Sequence, residues 1–145
     1  MKNIILLLII VFILSSCSAE EGNGQKVYYE LVPIKRCIMP YSFVAGQTYE
    51  FEMLYKKPTS CHFYKGVYFA KKQGNLRIVA IQCGVVESNS CITYGENNST
   101  NSPDSLTANY TFTATGTEPY VFRFWKGKNA QGEDTYYDVE VPVEN

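Results

Sequence analysis

Along most of the chain, short runs of alternating apolar and polar residues are separated by glycine, proline and asparagine. In an extended strand successive side chains point to opposite faces, so each such run predicts a strand with one face in a core. The clearest is Thr48–Tyr55, where Tyr49, Phe51, Met53 and Tyr55 alternate with Thr48, Glu50 and Glu52. In 106–113, Leu106, Ala108, Tyr110 and Phe112 alternate with Thr107, Asn109, Thr111 and Thr113. In 120–126, Tyr120, Phe122 and Phe124 share one face, and Val121, Arg123 and Trp125 the other. Tyr137, Val139, Val141 and Val143 form one face of 134–143. Val27 to Ile34 is a further run, ended by Lys35-Arg36 and Pro40. The runs 62–71 and 76–86 flank Gln73-Gly74-Asn75 and read as a hairpin. Leu76 to Val86 is apolar on both faces, as in a strand buried on both sides or one lying in the middle of its sheet. No segment holds an apolar period of 3.6 residues between caps. About seven short strands therefore predict an all-β fold, a single antiparallel β-sandwich.

The first residues break this pattern. Lys2 precedes an apolar run, Ile4 to Leu14, too short for the roughly 20 residues that cross a bilayer, and Ser15 and Ser16 lead into Cys17. A positive start, a short apolar stretch and small residues make the layout of an export signal. The ending Leu14-Ser-Ser-Cys17 resembles the lipobox of bacterial lipoproteins, which implies cleavage before Cys17 and diacylation of its sulfur. Residues 1–16 are then expected to be a lipoprotein signal peptide. Residues 17–25 are expected to be the lipidated cysteine and a flexible polar tether, and residues 26–145 the sandwich domain.

Export changes how the cysteines are read. An oxidising compartment favours disulfides, and apart from Cys17 there are four cysteines, Cys37, Cys61, Cys83 and Cys91. Two bridges have three connectivities. In a hairpin turning at Gly74, Cys61 and Cys91 both lie toward the end away from the turn and are predicted to pair. Cys37 and Cys83 are left to form the second bridge. The formal net charge is −1 with the signs scattered, which argues against nucleic acid, whose binding needs a basic stripe.

Little in the chain resembles catalytic chemistry. His62 is the only histidine, and on a strand its side chain diverges from that of Cys61. No second histidine or paired-cysteine motif completes a metal set, and Asn129, Gln131, Glu133 and Asp134 only faintly approach a calcium loop. No cofactor or metal is expected. If Tyr120, Phe122 and Phe124 fill the core, Arg123 and Trp125 face outward. They then form a contact surface, or Trp125 packs under the long polar segment 88–105, read as a surface loop anchored by Cys91. Asp104-Ser105-Leu106 matches the acceptor pattern for O-glycosylation in Bacteroidetes, making Ser105 a candidate site.

Several stretches together resemble small uncharacterised lipoproteins of the Bacteroidetes, flavobacterial in type. They are Ala45-Gly-Gln-Thr-Tyr-Glu-Phe51, Lys57-Pro-Thr-Ser-Cys-His-Phe63, Arg77-Ile-Val-Ala-Ile81, Phe122-Arg-Phe-Trp-Lys-Gly-Lys128, Gly132-Glu-Asp-Thr-Tyr136 and Val139-Glu-Val-Pro-Val143. The resemblance covers most of residues 40–143 and implies an immunoglobulin-like sandwich at the outer membrane. The expected function is a lipid-anchored, non-enzymatic binding or accessory domain. It would be held at the membrane by its N-terminal lipid, face the periplasm or the cell surface, and engage a protein or glycan partner. The alternative is a protease inhibitor of immunoglobulin-like fold presenting residues 88–105. An enzyme is not expected, because no acid, base and nucleophile assemble in the sequence.

Overall fold

Pro33 and Pro142 decide the architecture, because neither has an N–H to continue a ladder and each marks where the chain leaves one sheet for another. The computed structural model describes residues 24–94 and 105–144. Cys17, the signal segment, most of the tether and residues 95–104 lie outside the described residues. The described chain contains ten strands and no helix. They are β1 (Val27–Val32), β2 (Ile34–Ile38), β3 (Phe43–Val44), β4 (Thr48–Tyr55), β5 (His62–Lys71), β6 (Leu76–Val86), β7 (Leu106–Thr113), β8 (Tyr120–Lys128), β9 (Asp134–Val141) and β10 (Val143–Glu144).

β6 is the centre of a five-stranded sheet. β5 runs antiparallel along one of its edges. Its other edge is shared: β1 pairs antiparallel with Ile81 to Val86, and β8 pairs parallel with Leu76 to Val79. β9 pairs antiparallel with β8. The second sheet is β2-β4-β7, antiparallel throughout. β3 and β10 form a two-residue parallel pair.

The expected single strand 27–34 is thus two strands. Val32 pairs with Ile81 in the five-stranded sheet, and Ile34, just past Pro33, pairs with Tyr55 in the other. Lys35-Arg36 does not end the run. Both side chains are exposed, a bulge between Ile34 and Arg36 absorbs the irregularity, and β2 continues to Ile38. Gly127 makes room for the crossing: its φ is +102°, and a Cβ there would come 3.2 Å from Pro33 Cγ. Pro142 acts in the same way, with Val141 paired to Tyr120 and Val143 to Phe43. The Phe43 N–H donates to the Pro142 carbonyl at 2.8 Å. The expectation of about seven strands, all antiparallel, is corrected by these two crossings and by the parallel β6–β8 and β3–β10 pairs.

The core lies between the two sheets. Phe51 and Met53 of β4 and Phe112 of β7 face Val79 and Ile81 of β6 and Phe122 and Phe124 of β8, and all are buried. Phe51 and Phe112 both meet Phe122 edge-on, at 5.1 and 5.2 Å between centroids. Phe43 closes one end of the sandwich, with its ring 4.8 to 6.0 Å from Tyr49, Phe51, Phe112, Tyr120 and Phe122.

Cys61 and Cys91 form the predicted disulfide, with their Cα atoms 5.4 Å apart. The predicted Cys37–Cys83 bridge is absent, and both cysteines are free. The crossing at Pro33 is the cause: it puts Cys37 opposite Met53 in one sheet, while Cys83 sits opposite Glu30 and Tyr64 in the other. Replacing both Cys61 and Cys91 by Ala frees a 30-residue ring in the unfolded chain. Urea unfolding is expected to show a loss of about 3 to 4 kcal/mol.

Candidate functional site

The two outward faces of the sandwich differ sharply in chemistry. On the β2-β4-β7 sheet, Thr48 and Thr113 share a hydrogen bond between hydroxyls at 2.8 Å, Glu50 lies opposite Thr111, and Glu52 lies opposite Asn109. That is an ordinary solvated face. On the five-stranded sheet, β6 turns Ile78, Ala80, Gly84 and Val86 outward, and Ala80 and Gly84 are nonetheless buried. Aromatic side chains of the flanking strands cover them. Phe63 of β5 lies directly on Gly84, occupying the space a Cβ would take. Tyr29 of β1 pairs with the same glycine from the other edge, and the Lys65 ammonium stands 5.7 Å from its ring centroid.

Further along this face, Tyr68, Ile78, Ala80, Trp125 and Tyr136 surround a shallow recess of about 260 Å³, with Asp134 and Lys72 as its charged lining. Trp125 and Tyr136 are partners across the β8–β9 ladder. The Trp125 indole N–H donates to Asp134 Oδ1 at 3.0 Å, and Lys128 Nζ donates to the same oxygen at 2.9 Å. These bonds, Lys128 first and Trp125 second, hold the Asp134 carboxyl below its ordinary value. The indole is thereby fixed in orientation. Beside it, Arg123 forks onto Asp138 through Nε and an Nη nitrogen, at 2.9 and 2.8 Å, and its guanidinium lies 5.8 Å from the Tyr136 centroid.

Arg123 and Trp125 both lie on this outward face, but they differ in what they offer. Arg123 is occupied by Asp138, whereas Trp125 lines the recess. The described ends of segment 88–105 lie elsewhere. Residues 92–94 bond to the turn before β5, through Ser60 N–H to the Ile92 carbonyl and Tyr94 N–H to the Pro58 carbonyl. Ser105 is exposed just before β7. Sequence reasoning did not foresee the recess, because Tyr68, Ile78 and Tyr136 come together only through the strand order β5-β6-β8-β9.

A second cluster was also illegible in the sequence. His62, 5 % exposed, is bonded through Nε2 to Glu30 at 2.5 Å and through Nδ1 to the Thr59 hydroxyl at 2.7 Å. Carboxylate, imidazole and hydroxyl in series resemble a proton relay. Here, however, Thr59 Oγ1 also accepts the Cys61 N–H at 3.2 Å, so the hydroxyl belongs to the turn that the disulfide closes. Both imidazole nitrogens are engaged, and the chain of bonds ties β1, β5 and that turn together across β6.

The free thiols are poor nucleophiles. Burial pushes Cys37 up to about 12, and burial followed by the nearby Glu30 carboxylate raises Cys83. In the last turn, Asn129 Oδ1 accepts the N–H groups of Gln131 and Glu133 and its amide donates to Glu133, so these oxygens hold the turn itself. Among the described residues no three His, Cys, Asp or Glu side chains converge as a metal-ligand set. Comparison with protein-family models, with curated proteins and with solved structures found no match.

The Asp134 contact has a measurable consequence. Because the folded carboxyl titrates low, its bond to Trp125 is present above the ordinary aspartate range and is lost only as pH falls through the depressed value. The Trp125 indole N–H resonance is expected to titrate with a midpoint below ~3.9. A midpoint at or above that value would show that the contact does not persist in solution.

Proposed function

We propose that this chain is a lipid-anchored, non-enzymatic binding domain of the bacterial outer membrane, presenting the outward face of its five-stranded sheet to a partner. The observation that carries the reading is the contrast between the two outward faces. One is mainly threonine, asparagine and glutamate, with Arg36, Ile38 and Leu54 toward β2, and the other exposes the rings of Tyr29, Phe63, Tyr68 and Tyr136 and holds a fixed tryptophan. Exposed aromatic surface on that scale marks a contact site rather than a solvated wall. The lipobox-like ending at Cys17 and the polar segment after it supply the anchor and the tether in this reading. The scaffold is immunoglobulin-like in its use, two packed sheets with a free face and free loops, though the parallel β6–β8 pair gives it a strand order of its own. The inhibitor alternative rests on a loop that falls mostly in residues 95–104, outside the described residues, and no described contact favours it.

Two measurements on cells expressing the full chain test the proposal. Mass spectrometry is expected to find a mature N-terminus at Cys17 carrying acyl chains; an unmodified Cys17 would remove the anchor. A photoreactive residue placed at Tyr68 is expected to give envelope adducts that one placed at Thr111, on the opposite face, does not. Equal yields from both positions, or none from either, would refute the assignment of the face.

A further inference from the structure

We propose that the recess beside Trp125 binds a neutral oligosaccharide. The inference rests on the reading of the chain as a binding domain and names the chemical class of its ligand. A pyranose ring has one face of C–H groups and a rim of hydroxyls. It is held where an aromatic plane meets the first and mixed donors and acceptors meet the second. Aromatic faces are the negative side of the ring quadrupole, so they attract the weakly positive C–H groups.

The recess supplies both parts. Trp125, Tyr136 and Tyr68 contribute rings, while the Asp134 carboxylate and the Lys72 ammonium contribute an acceptor and a donor. The indole is already oriented by Asp134, so stacking on it costs little ordering. At about 260 Å³ the recess is smaller than the ~300 Å³ at which pockets for drug-sized ligands begin, which suits a sugar ring rather than a larger molecule. It is also not isolated. Tyr68 on β5 and Trp125 on β8 flank β6 on either side, two strand spacings or roughly 10 Å apart, a span suited to linked sugar rings. Tyr29 and Phe63 continue the aromatic surface beyond it, which favours a chain of sugars over a single ring.

Charge selects a neutral ligand. Arg123 is neutralised by Asp138, and Lys128 by Asp134, so neither cation stands ready for a carboxylate or phosphate. Asp134 is already paired with Lys128, so among the described residues only Lys72, of the two charged groups lining the recess, stands outside an ion pair, and a lone ammonium lacks the fork that grips a carboxylate or phosphate at two oxygens.

The chain has a single tryptophan, so its emission reads the recess directly. Full-length lipidated protein in detergent is titrated with cellohexaose, chitohexaose and maltohexaose, and with hexagalacturonate as the acidic comparison. At least one neutral hexamer is expected to shift Trp125 emission saturably and to bind at least tenfold more tightly than the acidic one. Tyr136→Ala is expected to weaken that binding at least tenfold, and Thr111→Ala to leave it unchanged, with melting temperatures checking that each variant folds. If Tyr136→Ala unfolds, Tyr68→Ser, at an exposed position, takes its place with the same expected loss. No response to any neutral hexamer at millimolar concentration overturns the proposal, as does equal binding of the acidic hexamer. Emission and sedimentation that change only with protein concentration would show that a second copy covers the face, and also overturn it. Should the oligosaccharides fail while the crosslinker at position 68 captures a protein, the sugar assignment falls and the binding domain stands; should both fail, both fall.

Discussion

Apart from Gln82 on its outward face and Arg77 on its inward one, β6 is apolar on both faces, and that constrains the rest of the molecule. Its inward side chains, Val79, Ile81, Cys83 and Val85, are buried. Its outward side, Ile78, Ala80, Gly84 and Val86, has no third layer to cover it among the described residues. Leaving such a surface in water costs free energy in proportion to its area, roughly 25 cal/mol per Å². The neighbouring strands answer with large aromatic side chains laid over small residues. Phe63 lies on Gly84, and Tyr68 and Trp125 flank Ala80. Small residues on the central strand and rings on its neighbours leave a shallow recess rather than a flat wall. The candidate site is therefore a by-product of how the second face of β6 is covered.

The rings are held by the far edge of the sheet. β9 is an edge strand whose outward positions carry Asp134, Tyr136, Asp138 and Glu140. Acidic residues on an edge discourage further strand pairing. Two of them also do local work, Asp134 orienting Trp125 and Asp138 engaging Arg123. The groups that protect the edge thus also set the geometry of the recess. Arg77 plays the matching part inside, buried with its guanidinium 5.0 Å from the Tyr120 centroid and donating to the carbonyls of Gly74 and Leu76 at the hairpin turn.

The end of the sheet nearer the start of β1 is cross-tied more heavily. The Cys61–Cys91 bridge, the Glu30–His62–Thr59 chain and the Thr59–Thr93 bridge all fall there. β1 is the first described strand, and among the described residues no strand pairs with its outer edge. A side-chain tie from Glu30 to His62, reaching over β6, resists peeling of β1 where ladder bonds alone would fray. In the proposed lipoprotein this is the strand that follows the tether. The same tie accounts for the burial of His62 at the sheet's edge.

The alternation of side chains determined much by itself. Thr48–Tyr55 and 106–113 have periods so regular that their core faces followed directly, and of the two faces that alternation separates in 120–126 the one with Tyr120, Phe122 and Phe124 is the buried one. The hairpin geometry of 62–86 also sufficed to pair Cys61 with Cys91. What the alternation could not carry is which sheet a strand joins. The alternation runs straight through Pro33 and Pro142, and only the packed molecule shows that each transfers the chain between sheets. For that reason Cys37 and Cys83 part company, and Phe43, in a two-residue strand with no periodicity to detect, becomes the ring that closes one end of the aromatic core. The recess is of the same kind. Tyr68, Trp125 and Tyr136 are far apart in sequence and meet only because β8 joins β6 in parallel. Period two reports which face a residue takes, a local property of the backbone, whereas neighbourhood across a sheet depends on non-local pairing that no short window of sequence contains.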